Sequence, residues 1–217
     1  MPHLLELFSG TRSIGRVFEA AGWQVTSADI EAKYKPTICK NVLDLSPEDI
    51  GSERVDLIWA SPPCVHYSCA RTNAKTPRDL EGSDKLVAKV LEFATHYGCY
   101  YFMEHPHSGL LKTRQVVEGI PMQVLDYCMY AGADHPHKGR KRTAIWTNTD
   151  WHPRRRLCNK DCEWSDGRRH FDIAQRGSTP SRGCPTHQLE DLYAIPSAIP
   201  KELLEWWDAG RSSQRRI

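Results

Sequence analysis

With 217 residues, 40% hydrophobic and 26% charged, the chain holds enough apolar material for one domain with a sizeable core and a small appendage. No apolar run approaches the ~18 residues of a membrane span, the start Met1-Pro2-His3-Leu4-Leu5-Glu6 lacks a basic leader, and eight cysteines in a chain this long fit no small secreted disulfide scaffold, so a soluble intracellular protein with reactive or metal-bound thiols is expected. The net charge of +2 hides an asymmetry: residues 1–137 hold 13 Lys+Arg against 17 Asp+Glu, and residues 138–217 hold 16 against 10, which suggests a polyanion-binding surface in the C-terminal part.

In chain order, residues 4–8 read as a strand, Ser9-Gly10-Thr11-Arg12-Ser13 as a turn, and 13–21 as a helix ending at Gly22. Residues 23–28 alternate as a strand that ends in Asp29-Ile30-Glu31. A third short strand and turn lead into Asn41-Val42-Leu43-Asp44, and Ser46-Pro47-Glu48-Asp49 opens a helix. Residues 55–60 form a fourth strand, 65–83 a long polar loop, 84–97 a helix and 99–103 a fifth strand. Residues 122–130 and 143–147 read as an antiparallel pair at the sheet edge. Beyond Asn148 periodicity fades until Leu189, with a last helix at 200–208 and a frayed tail. Strand and helix alternate over the first 105 or so residues, which argues a doubly wound, Rossmann-like α/β fold with a mostly parallel sheet.

Three places carry chemistry. The first is the turn after the first strand, where Gly10 permits close backbone approach to a ligand and the following helix start offers free N–H groups. Asp29, about twenty residues on, ends the second strand where an acid can accept both hydroxyls of a ribose. The second is the pair of strand ends. Val55-Asp56-Leu57-Ile58-Trp59-Ala60 runs into Ser61-Pro62-Pro63-Cys64, whose prolines stiffen the turn and aim the thiol, with His66 and Arg71 near enough in sequence to favour a thiolate. Cys99-Tyr100-Tyr101-Phe102-Met103 runs into Glu104-His105-Pro106, where a carboxyl group can hold or donate a proton. A nucleophile and an acid at the carboxyl edge of one sheet are expected to share a site.

These residues together resemble the DNA cytosine carbon-5 methyltransferases, in particular short, phage-type members. Phe8-Ser9-Gly10-Thr11 resembles their S-adenosylmethionine loop, Asp29-Ile30 the ribose end, and Asn41-Val42 or Asp44 the adenine contact. Pro62-Pro63-Cys64 with Ser68 resembles the catalytic Pro-Cys loop, and Glu104-His105-Pro106 the Glu-Asn-Val segment. Lys138-Gly139-Arg140-Lys141-Arg142 resembles the Gln-x-Arg-x-Arg segment, flanked by Tyr127-Cys128-Met129-Tyr130 and Ile145-Trp146-Thr147-Asn148. The resemblance covers residues 4–147, and the segment 189–208 echoes the last family motif. It implies the S-adenosylmethionine-dependent methyltransferase type of fold and a reaction on a flipped cytosine. In that reaction Cys64 adds to carbon 6, Glu104 serves ring nitrogen 3, and Arg140, or alternatively Arg142, binds the oxygen on carbon 2. Phe8, Ser9, Gly10, Thr11, Asp29, Ile30, Asn41, Val42 and Pro62 are the expected donor-binding residues. His105 for Asn, Arg12 for Gly and Lys138 for Gln depart from the family pattern.

The third place is the stretch from 149 to 188. Cys158, Cys162, His170, Cys184 and His187 are ligand types for structural zinc, with Cys158, Cys162, Cys184 and His187 the expected set and His170 interchangeable. Residues 138–186 hold 12 Lys+Arg against 5 Asp+Glu, among them Arg154, Arg155, Arg156, Arg168, Arg169, Arg176 and Arg182, and form the expected face for DNA phosphates. The organisation expected is therefore a catalytic domain at 1–148, a small irregular Cys/His-rich, basic insert at 149–188, and a helical segment at 189–217 packing back on the catalytic domain, as a monomer acting on DNA. The rival readings are the same chemistry on RNA, a catalytically silent methyltransferase fold that binds nucleic acid, and a thiol-dependent hydrolase.

Overall fold

The structure is a computed structural model and describes residues 1–71, 74–173 and 187–214, with side chains to residue 210. In chain order it comprises β1 (His3–Leu7), α1 (Gly15–Ala20), β2 (Gln24–Asp29), β3 (Ile38–Cys39), α2 (Pro47–Ile50), β4 (Leu57–Ala60), α3 (Leu80–Tyr97), β5 (Tyr100–Pro106), β6 (Met122–Asp126), β7 (Arg142–Thr147), α4 (Leu189–Tyr193) and α5 (Ala198–Gln214). The seven strands lie in the order β3-β2-β1-β4-β5-β7-β6. The first five pair in parallel, and β7 inserts antiparallel between β5 and β6.

The strand sequences explain their places. His-Leu-Leu-Glu-Leu in β1 and Leu-Ile-Trp-Ala in β4 are buried at every position, as central parallel strands covered on both faces are. On one face, Val87, Val90, Phe93 and Ala94 of α3 pack with Leu5, Ile58 and Met103. On the other, Ile14 and Phe18 at α1, with Ile199 and Leu203 of α5, pack with Leu4, Trp59 and Phe102. Trp23 and Trp207 meet edge to face at 4.9 Å, which brings the C-terminal helix against the α1 side.

Three boundaries differ instructively from those read in the sequence. Helix α3 starts at Leu80 because the Asp79 side chain accepts from the Gly82 N–H at 2.7 Å, an N-cap the apolar periodicity did not reveal. Strand β6 stops at Asp126 and the chain turns through a 3-10 turn, Tyr127–Met129, because Asp126 is drawn to Arg142 and to the backbone of Cys158. Helix α5 runs Ala198–Gln214, beyond the expected 200–208, and its Trp206 and Trp207 pack on Tyr100 and Phe102. Pro200 sits in its first turn, where a missing N–H costs nothing.

The chain order reverses between β1, whose neighbour on one side is β2, and β4, its neighbour on the other. Loops leaving two such strands diverge to opposite faces and open a crevice at their carboxyl ends. No helix among the described residues is long and apolar enough to cross a membrane.

Candidate active site

A cleft of about 1190 Å³ opens at this reversal point. Its walls bring together Phe8, Ser9, Gly10, Thr11, Asp29, Ile30, Asn41, Val42 and Pro62 with Cys64, Glu104, Arg140 and Arg142, the full set of donor-binding and catalytic residues expected from the sequence. Leu189, Leu192, Tyr193 and Ile195 close it from the C-terminal segment. That segment is tied down by Lys33 and Tyr34 to Glu190 and by the Ile195 N–H to Ser13 Oγ at 3.2 Å.

The first turn is built on left-handed backbone: φ is +55° at Phe8, +43° at Gly10 and +56° at Arg12. A side chain at Gly10 would meet no atom within 4 Å, so the space above it is open to a ligand. Arg12, where the resembling family has glycine, keeps a glycine-like conformation and pairs with Glu19. Asp29 holds the turn in place: one oxygen accepts from the Gly10 N–H and the other from the Glu31 N–H, each at 2.8 Å. Ile30 beside it is 65% exposed, an apolar surface on the cleft rim. Asn41 accepts from the Leu43 N–H through its side chain.

The helix start does not serve as expected. Glu6 of β1 is buried beneath it, and its Oε1 accepts the Ile14 N–H at 3.3 Å. Burial pushes the Glu6 carboxyl up to about 7, against hydrogen bonds from Gly15 and Ile14 and the charge of Arg12. A carboxyl group lining the cleft where a nucleotide fold would seat phosphate disfavours an anion there. It suits a nucleoside that carries no phosphate and a cationic side arm. Open space over Gly10, an acid at the end of β2, an apolar rim and an acid under the turn fit S-adenosylmethionine better than a dinucleotide.

At the other end of the cleft stand Cys64 and Glu104. Burial pushes the Cys64 thiol above its ordinary value of 9.0; the charge of Glu104 adds to the rise, and Lys141 opposes it. The cation facing the thiol is thus Lys141. His66 and Arg71, the candidates by sequence proximity, are engaged elsewhere: His66 Nδ1 with the Asp79 N–H, and Arg71 with Thr76 and the Pro77 carbonyl. Glu104 Oε1 accepts from the Tyr127 hydroxyl at 3.1 Å and lies 3.7 Å from Lys141 Nζ. Burial, followed by the charge of Glu104, raises the Tyr127 phenol well above 10, so it stays protonated and donates. Lys141 Nζ also sits 4.7 Å over the Tyr127 ring. Neither Tyr127 nor Lys141 was singled out in the sequence, although both fall within segments that carried the resemblance.

The two arginines part company. Arg142 binds the buried Asp126 through two parallel hydrogen bonds, 2.9 and 2.8 Å, while Arg140 is exposed at the cleft wall. Burial alone would raise the Asp126 carboxyl, but the hydrogen bonds from Arg142 and from the Cys158 N–H outweigh it and hold it below the usual carboxylate range.

His105, in place of the family's Asn, is fully buried and braces the loop by packing. Its ring meets the Tyr67 ring edge to face at 5.2 Å, and its Nδ1 lies 3.2 Å from the Pro106 carbonyl. Tyr67 in turn donates its N–H to the Cys64 carbonyl, accepts the Leu110 N–H, and hydrogen-bonds Asp84 through its hydroxyl at 2.7 Å. The Cys64 loop therefore hangs on Tyr67.

Among the described residues, the expected Cys158 and Cys162 come together with the interchangeable His170, and His187 does not join them. Cys158 and Cys162 lie side by side, but their companions are Cys128 and His170, whose ligand atoms fall with theirs within 4.8 Å. His187, at the end of the insert, instead meets Asp172 at 2.6 Å in a buried pair and packs toward His137 rather than toward the thiols. Cys184 lies outside the described residues, as do Arg176 and Arg182.

The sheet order and the cleft at its reversal point define the class: a doubly wound α/β protein whose sheet is parallel except for β7, which runs antiparallel to both its neighbours. No family model matches the chain. The frog virus 3 (isolate Goorha) protein named "Probable DNA (cytosine-5)-methyltransferase" is 28% identical over 224 residues, covering 93% of this chain and 98% of that protein. Along almost its whole length the chain is thus similar to a protein named as a probable DNA (cytosine-5)-methyltransferase. Among solved structures, a candidate DNA modification methyltransferase encoded within an E. coli prophage superposes with a TM-score of 0.48 at 14% identity, over 68% of this chain and 46% of that one. A DNMT2 variant from Spodoptera frugiperda gives 0.45 at 17% identity, over 72% and 53%. The chain spans about half the length of these two structures.

Proposed function

We propose that this protein is an S-adenosylmethionine-dependent DNA (cytosine-5-)-methyltransferase with Cys64 as nucleophile and Glu104 as the acid. The observation that carries the reading is that Cys64 and Glu104 stand in one cleft with the donor-type loop, Asp29 and Asn41. S-adenosylmethionine, when bound, supplies a methyl group made electrophilic by its sulfonium; Phe8 to Thr11, Asp29, Ile30, Asn41, Val42 and Pro62 are the residues that hold it.

The chain's own residues do the rest. Carbon 5 of cytosine is a poor nucleophile until a thiolate adds to carbon 6. Cys64 Sγ forms that bond, and the ring electrons move toward nitrogen 3, where the Glu104 carboxyl group supplies a proton so that no anion accumulates. Tyr127 and Lys141 orient Glu104, and Lys141 also offsets negative charge beside the thiol. Because Arg142 is committed to Asp126, Arg140 is assigned the oxygen on carbon 2. Once carbon 5 carries the methyl group, solvent water takes its proton, the freed electron pair re-forms the C5–C6 double bond as the Sγ–C6 bond breaks, the thiolate departs, and the proton on nitrogen 3 returns to Glu104. This chemistry needs the base outside the helix stack. Residues 65–71 and 74–79, which precede α3 and carry Cys69, Arg71 and Arg78, form the lid over it, and the basic stretch 138–173 meets the phosphates.

The test is covalent trapping. An oligonucleotide bearing 5-fluorocytosine cannot lose its carbon-5 substituent as a proton, so with donor present it should leave an adduct on Cys64, detected by peptide mass spectrometry. Matched DNA and RNA strands run in parallel separate the two substrates. An adduct on another residue, or none with either nucleic acid while S-adenosylmethionine binds, rejects the proposal.

A further inference from the structure

One turn past the end of β6 stands a group of side chains that the methylation chemistry does not use. Cys128 leaves the sheet there, and Cys158, Cys162 and His170 of the following insert close around it, with all four ligand atoms within 4.8 Å of one another. His170 Nε2 lies 3.4 Å from Cys158 Sγ and 3.3 Å from Cys162 Sγ. One imidazole nitrogen offers one proton or one lone pair, so it cannot satisfy two thiols at once. A tetrahedral zinc, with Zn–S about 2.3 Å and Zn–N about 2.0 Å, separates neighbouring sulfur and nitrogen ligands by about 3.5 Å, close to both distances.

The backbone around the thiols is shaped for the same purpose. Lys160, at φ +67°, turns the chain so that its N–H donates to Cys158 Sγ at 3.3 Å. The 162–170 segment folds back on itself through the Ser165–His170 bridge and the Phe171 N–H to the Trp164 carbonyl, which returns His170 to Cys162. Over residues 152–171 Cys158 is the sole buried apolar residue. A stretch of that length with no core of its own requires another source of folding energy, and a four-ligand metal supplies it.

We propose that Cys128, Cys158, Cys162 and His170 form a structural zinc site that staples the basic insert to the β6–β7 strand pair of the catalytic sheet. Four protein ligands complete the shell and leave no position for water or substrate, so the ion is structural. Its neighbours give it a reach into the cleft. The Cys158 N–H donates to Asp126 Oδ2 at 2.9 Å, and the same carboxylate holds Arg142. Tyr127, which hydrogen-bonds Glu104, directly precedes Cys128 in the chain. The site stands whether or not the chain methylates cytosine, and its test reads the metal itself.

Full-length protein produced with zinc and dialysed free of loose metal is expected to hold about one zinc per chain. X-ray absorption should show three sulfurs near 2.3 Å and one nitrogen near 2.0 Å, and cobalt replacement should give the intense visible bands of a tetrahedral thiolate site. Cys128→Ser and His170→Ala should lower affinity at least tenfold, whereas Cys184→Ser and His187→Ala should retain the ion. Metal-free wild-type protein, a four-sulfur or two-sulfur shell, or loss of zinc in Cys184→Ser or His187→Ala with Cys128→Ser still loaded would overturn the assignment. The wild-type spectrum decides the matter even if Cys128→Ser does not fold.

Discussion

Cys64 is held as a thiol by its surroundings: burial first, then the Glu104 charge, push it above 9.0, with Lys141 the opposing influence. In the free protein most of the sulfur is therefore protonated near pH 8, and its reactivity depends on the two charges that face it. Glu104→Gln removes the repelling charge and is expected to speed iodoacetamide modification of Cys64 at pH 8 by roughly three- to tenfold, whereas Lys141→Gln slows it. Peptide-resolved alkylation rates check both, and equal rates in all three proteins would separate Cys64 electrostatically from Glu104. On the proposed mechanism the order inverts for Glu104: the same Gln variant cannot supply the proton and should fall by about 10²- to 10⁴-fold in methyl transfer to DNA. Arg12 makes a further residue-scale point. A non-glycine residue at φ +56° costs on the order of 1 kcal/mol, so Arg12→Gly is expected to leave donor affinity within about threefold, measured by calorimetry.

At the scale of elements, the turn after β4 is held by the strand beside it. His105 of β5 packs on Tyr67, and Tyr67 carries the Cys64 carbonyl, the Leu110 N–H and Asp84. Restoring the family's residue with His105→Asn would therefore open a void under Tyr67 and destabilise the fold by about 1–3 kcal/mol in denaturant titrations. Gly109 belongs to the same arrangement, since a Cβ there would meet His105 Cε1 at 2.7 Å. Residue 105 thus braces the turn through its ring. The sequence showed His105 but not its partner, because Tyr67 lies 38 positions away, in a loop with no periodicity.

At the scale of the whole molecule, buried histidines set the response to acid. Burial, and then His135, lowers the His137 imidazole to about 3; burial, and then Lys138, lowers His135 to about 4. In the unfolded chain both take up protons near the ordinary value of 6.5, so below that pH the unfolded state binds more protons and stability falls as pH falls toward about 4. Glu6 works the other way: with its folded value raised to about 7, its contribution is full below about 4.5 and is lost as pH rises through 7. His137→Asn is therefore expected to flatten the decline in melting temperature between pH 6.5 and pH 5 relative to the unaltered protein. Parallel slopes would mean that His137 is protonated in the fold. Charge at this scale is also divided, with the basic residues gathered after 137, so DNA binding should weaken steeply with salt.

What the amino-acid order determined by itself was local or nearly so. Short apolar runs ending in Pro-Pro-Cys and in Glu-His-Pro specify strands and the turns that leave them, and alternating strands and helices specify a sheet whose carboxyl edge collects those ends. That is why Cys64, Glu104, Asp29 and the Phe8–Thr11 turn were legible before any coordinates. The tertiary structure alone decided which charges face the thiol, which arginine is spent on Asp126, and that Cys128 rather than His187 joins Cys158 and Cys162. Each of these depends on contacts between segments 15 to 77 positions apart in the chain. Spacing along a sequence carries no information about such contacts; only the packing of the insert against the β6–β7 pair brings the partners within reach.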